Sequence, residues 1–97
     1  MHAVVRSYSG EGASMVFDLV EKDAEEVKSL LGSIPGFVSY TAIRTAGGGV
    51  TVTVCEDQTG TDESSKRAAG FVKERSEGRM IDPPTISEGD TSLHFGS

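Results

Sequence analysis

Few side chains in this 97-residue chain have the chemistry of a site, and most of them fall on segments with strand character. Arg6 and Tyr8 are alternate residues of one such segment, and Tyr40 and Arg44 lie on another at an even spacing. Side chains alternate across an extended strand, so each pair shares a face. Phenols can orient an aromatic ligand, and an arginine can stabilise an enolate or carboxylate. Arg6, Tyr8, Tyr40 and Arg44, together with His94 near the other end of the chain, are therefore the candidates for lining a small-molecule cavity. The competing reading is plain packing, with tyrosines in the core and arginine stems covering apolar surface. No catalytic residue can be named, because His94, Glu56 and Asp57 all fall at strand ends. Ser64 and Ser65 come at a helix start, where capping accounts for serine, and no His-Asp pattern accompanies them.

Two further groupings have a chemical reading. If the first, third and fourth strands are antiparallel neighbours, His2, Cys55 and His94 come to one sheet edge, where two imidazoles and a thiolate can hold a soft metal. Against this, His2 adjoins the first residue and Cys55 is the sort of small residue that cores absorb. Gly10-Glu11-Gly12 has the first half of a dinucleotide fingerprint, but Met15 stands where the third glycine belongs, and Glu11 would repel phosphate. An ordinary strand-to-helix turn is the expectation there.

The elements that must position these residues follow from periodicity. Residues 3–9 alternate and read as a strand, ended by Ser9-Gly10-Glu11-Gly12. Val16, Val20, Ala24, Val27, Leu31 and Ile34 recur at steps of three and four, an amphipathic helix over 13–34 that Glu21-Lys22-Asp23 can divide in two. Pro35-Gly36 ends it. Residues 37–45 and 50–56 are β-branched and aromatic, and the glycines at 47–49 predict a hairpin between them. Thr59 or Thr61 is the expected cap of a helix running toward Gly78. After Pro83-Pro84 a final strand is expected over 85–95, bent at Gly89-Asp90.

The order β-α-β-β-α-β predicts an α+β, ferredoxin-like single domain over 1–97, with a four-stranded antiparallel sheet and both helices on one face. The other face is left bare, which predicts a homodimer. Nine Lys and Arg against fifteen Asp and Glu give a net charge of −6, with no basic patch, so neither nucleic acid nor an anionic membrane is an expected partner. A lone cysteine excludes an internal disulfide. The first residues show no basic lead and apolar run, so a cytoplasmic location is expected.

Ile34-Pro35-Gly36-Phe37-Val38-Ser39-Tyr40, then a glycine hairpin, Val50-Thr51-Val52-Thr53-Val54 and the closing Leu93-His94-Phe95, resemble the dimeric α+β barrel superfamily, especially the antibiotic biosynthesis monooxygenases. The resemblance implies a homodimer with face-to-face sheets and a small-molecule space between sheet and helices. It implies a cofactor-free monooxygenase acting on a small, partly aromatic molecule; the absence of a recognisable acid-base pair points instead to a non-enzymatic dimeric binding or stress-response module. Haem-degrading members use an Asn, Trp and His set, and this chain has neither Trp nor Asn.

Overall fold

The computed structural model describes residues 1–96. Its elements are β1 (His2–Ser9), α1 (Ala13–Lys22), α2 (Ala24–Gly32), β2 (Phe37–Thr45), β3 (Gly48–Cys55), α3 (Gln58–Arg75) and β4 (Thr85–Asp90). The strands form one sheet in the order β2-β3-β1-β4, and every neighbouring pair is antiparallel. This is the ferredoxin-like α+β arrangement expected from the chain, with its first helical segment in two pieces. The break falls at Asp23, whose carboxylate, with that of Glu26 on α2, pairs with Arg75 from α3.

All three helices cover one face of the sheet. On that face β1 presents His2, Val4, Arg6 and Tyr8, all buried, and β3 presents Gly49, Thr51, Thr53 and Cys55. The opposite face carries Ala3, Val5, Val50, Val52 and Ile43 with no helix over it. The core is in two parts. Tyr8, Ala13, Val16 and Phe17 join α1 to β1, and Val27, Leu31, Ile34 and Phe71 join α2 to α3.

Two boundaries differ from expectation. Asp57, not Thr59 or Thr61, caps α3, its carboxylate accepting from the Gly60 N–H at 3.2 Å. Thr61 is instead buried one turn inside the helix. The last strand stops at Asp90, and its pairing with β1 runs without a bulge through Gly89. The irregularity in the sheet lies in β2, between Phe37 and Ser39.

Candidate functional site

The site starts from an imbalance on β1. Two of its four inward residues, His2 and Arg6, are polar, and a polar group that loses water must find a partner. α3 supplies them. Its sheet-facing residues include Gly60, Thr61, Ser64 and Phe71, a stripe of small and hydroxyl-bearing side chains. His2 Nδ1 lies 2.7 Å from Thr61 Oγ1. The Arg6 guanidinium donates to Thr53 Oγ1 at 3.0 Å, Ser64 Oγ at 2.8 Å and Ser65 Oγ at 2.9 Å. The Ser64 hydroxyl in turn donates to the Thr61 carbonyl at 2.7 Å.

Beside this cluster is a cavity of about 370 Å³, within the usual range of ligand pockets. Arg6 and Tyr8 of β1 and Ile86 of β4 form its floor, α3 its wall from Ser65 to Ser76, and the segment 79–84 its roof. The roof is strapped to the β1–α1 turn. The Asp82 N–H donates to the Glu11 carbonyl at 2.8 Å, and the Glu11 N–H donates to Asp82 Oδ2 at 3.1 Å. A Cβ on Gly10 would come 2.5 Å from Asp82 Oδ2, and one on Gly12 would come 2.6 Å from the Met80 carbonyl; both glycines have positive φ, +82° and +77°. The Gly10-Glu11-Gly12 motif thus seats a strap, and its glycines are needed for close backbone approach.

Burial sets the electrostatics. It pulls the Arg6 guanidinium below its ordinary value, an effect that proximity to Tyr8 and Tyr40 partly offsets. It pushes both phenols above their ordinary value near 10, against the opposing pull of Arg6. Tyr40 lies on the far side of Tyr8 from the cavity, next to Thr51, whose buried hydroxyl has no partner of hydrogen-bond geometry among the described residues. Tyr40 also borders a wider, apolar cleft of about 690 Å³ between β2 and the α1–α2 pair. That cleft has no buried charge, and Lys28 is its one charged lining residue.

Because the folded chain holds both phenolic protons more tightly than the unfolded chain, their contribution to stability is intact below about pH 10 and is lost as pH rises above it. Tyr8 and Tyr40 are the only tyrosines, so phenol absorbance reports them alone. Native protein is expected to titrate later than unfolded protein, and Tyr8→Phe to flatten the alkaline fall in denaturation midpoint. Native phenols titrating at or below free tyrosine would contradict this.

Of the residues singled out in the sequence, Arg6 and Tyr8 line the cavity together and Tyr40 stands behind them. Arg44 does not join them. Its partner across the sheet is Gly49, over which the Phe17 ring packs, so its guanidinium extends past that ring to Asp18 at 2.8 Å and Glu21 at 2.9 Å on the outside of α1. His94 is exposed, four residues beyond the end of β4, and lines no cavity described here. The His2, Cys55 and His94 grouping fails for the same reason: His2 and Cys55 are paired across β1 and β3, but His94 has left the sheet. Among the described residues no three His, Cys, Asp or Glu side chains gather as a metal site. Ser64, Ser65 and Thr53, which hold Arg6, and Lys73 and Arg79 at the cavity are not evident from the sequence. The one available signal was Thr61, Ser64 and Ala68 recurring at helical spacing, which marks a face without saying what it meets.

The chain has a ferredoxin-like α+β fold with a cavity between its sheet and its helices. Solved structures agree along almost the whole chain. A protein of unknown function from Nitrosomonas europaea is 13% identical with a TM-score of 0.71, covering 99% of this chain and 92% of its own. The monooxygenase ActVA-Orf6 of Streptomyces coelicolor, in complex with nanaomycin D, is 21% identical with a TM-score of 0.63, covering 99% and 91%. A dimeric ferredoxin-like protein from an uncultured marine organism is 13% identical with a TM-score of 0.64, covering 99% and 96%. No protein-family model and no curated protein matches the chain. No helix among the described residues is long and apolar enough to cross a membrane.

Proposed function

We propose that the protein is a homodimeric α+β barrel that binds a small, partly aromatic molecule in the cavity floored by Arg6 and Tyr8. The observation that carries this reading is a buried arginine beside a buried phenol at the bottom of an otherwise largely apolar cavity of ligand size. Self-association is supported by the bare sheet face, where Ile43 is 50% exposed among valines, and by likeness to a dimeric ferredoxin-like protein.

A second reading adds catalysis. Likeness to a monooxygenase solved with nanaomycin D and to the cofactor-independent oxygenase SnoaB favours cofactor-free oxygenation, in which Arg6 would stabilise the substrate anion that reacts with molecular oxygen. Against turnover, the sole acid lining the cavity is Asp82, whose carboxylate is already bonded to the Glu11 amide. Binding is therefore the primary reading.

The test is a panel of quinols and hydroxyquinones, followed by thermal shift, calorimetry and oxygen uptake, with sedimentation equilibrium for the number of chains. Binding to the parent and its loss in Ala68→Phe, which fills the cavity from α3, is the expected result. Binding without oxygen uptake selects the binding module. No binding across the panel counts against both readings.

A further inference from the structure

Among the described residues the Arg6 guanidinium is a buried cation with no ion-pair partner. The residue is 2% exposed, and its hydrogen bonds all go to hydroxyls. Among the described residues no carboxylate forms an ion pair with it. Glu88 on the neighbouring strand stands 3.8 Å from His2 Nε2 instead. Hydroxyls offer dipoles and no net charge, so the cost of desolvating the cation is only partly offset. A guanidinium has five N–H donors, and hydroxyls occupy three here. Ser65, one of those acceptors, itself lines the cavity, so a ligand oxygen can meet both the hydroxyl and the cation.

The other charged side chains lining the cavity sum to a net positive charge, with Glu77 outside the lining 3.9 Å from the exposed Arg79. Lys73 and Arg79 also line it, so three of the nine Lys and Arg in a chain of net charge −6 gather around one cavity. Asp82 is the only acid there, and the Glu11 amide holds it. Such a local reversal of field draws anions. Tyr8, Val72, Ile81, Pro83 and Ile86 supply the apolar surfaces between the charges.

We propose that this cavity selects a planar aromatic ligand carrying an oxyanion, a carboxylate above all, and that the ligand supplies the counter-ion Arg6 lacks. The proposal rests on the reading of the cavity as a small-molecule site and adds the chemical class.

A matched pair of probes, 2-naphthoate and 2-naphthylmethanol, separates charge from shape in calorimetric titrations. The carboxylate is expected to bind about tenfold tighter or more, as a charge-assisted contact implies. Arg6→Met is expected to erase that preference and Arg6→Lys to keep part of it. The Arg6 Nε–H resonance of the unaltered protein is expected to shift with the carboxylate and not with the alcohol, a readout that needs no variant to fold. Equal affinity for the two probes overturns anion selection while leaving small-molecule binding in place. Failure of both probes to bind overturns the proposal and the reading beneath it. A preference that survives in Arg6→Met overturns the role of Arg6 and assigns the charge to Lys73 and Arg79 at the rim.

Discussion

Gly49→Ala is expected to cost about 3 kcal/mol or more, a large share of the stability of a domain this size. Gly49 opens β3 on the helix-covered face, and the Phe17 ring lies against its backbone where a side chain would otherwise stand. A Cβ there would strike both that ring and the Ile43 carbonyl of β2. The ring is 1% exposed and packed edge-on to Tyr8, with centroids 5.9 Å apart and planes at 87°, so it has little room to yield. The carbonyl belongs to the β2–β3 ladder, so moving it strains the sheet. Gly70→Ala is the matched control. A Cβ at that position meets nothing within 4 Å, and Gly70 sits inside α3, so alanine should stabilise by about 0.5–1 kcal/mol through helix propensity. Urea midpoints moving in opposite directions are the expected outcome. A Gly49→Ala midpoint equal to the parent's would show that Phe17 does not pack as described.

Arg6→Met is expected to do the reverse, raising the stability of the ligand-free protein by about 1–2 kcal/mol. Two opposing terms decide the sign. The three hydroxyl contacts each contribute on the order of 1.5–3 kcal/mol as bonds to a charged group, relative to leaving that group unpartnered. The desolvation of a cation with no counter-ion costs several kcal/mol and cancels that gain, so the apolar burial of the replacing side chain decides the sign. Methionine fills similar volume without that cost, and Ser64 keeps its bond to the Thr61 carbonyl. The penalty left on Thr53 and Ser65 is that of acceptors without a donor, which makes the net gain modest. A residue that lowers stability where it sits beside a cavity is common at functional sites. Loss of more than about 1 kcal/mol in Arg6→Met would instead identify Arg6 as a structural cross-link between β1 and α3.

Much of the fold was legible because its signals are local. The alternation in β1, the steps of three and four in α1 and α2, and the glycine hairpin each need only neighbours in the chain to be read. The division at Asp23 was visible as a charged interruption, but choosing a break over a continuous helix depended on Arg75, fifty-two residues away, reaching Asp23 and Glu26. Leu93 and Phe95 look like strand residues and extend the expected last strand to 95, whereas pairing with β1 ends at His2, which has Asp90 opposite it.

The site was legible only in part. Period two put Arg6 and Tyr8 on one face, and that relation is independent of what the face meets. Whether the face met helices or solvent was open: Ala3, Val5 and Ser7 form an equally plausible, more apolar alternative. Apolar pattern alone would have turned Arg6 outward. Tertiary structure turned it inward because α3 presents Thr61, Ser64 and Ser65 to His2 and Arg6. A polar strand face and a polar helix face can be buried only against each other, and neither reveals its partner in its own sequence. The same holds for Gly10-Glu11-Gly12, which reads in sequence as an ordinary strand-to-helix turn and gives no sign that segment 80–82 packs against it. The chain by itself determined the elements, their order and which residues share a face. Contacts between residues about sixty to seventy apart decided which face is inside, and with it the placement of a buried cation at a cavity.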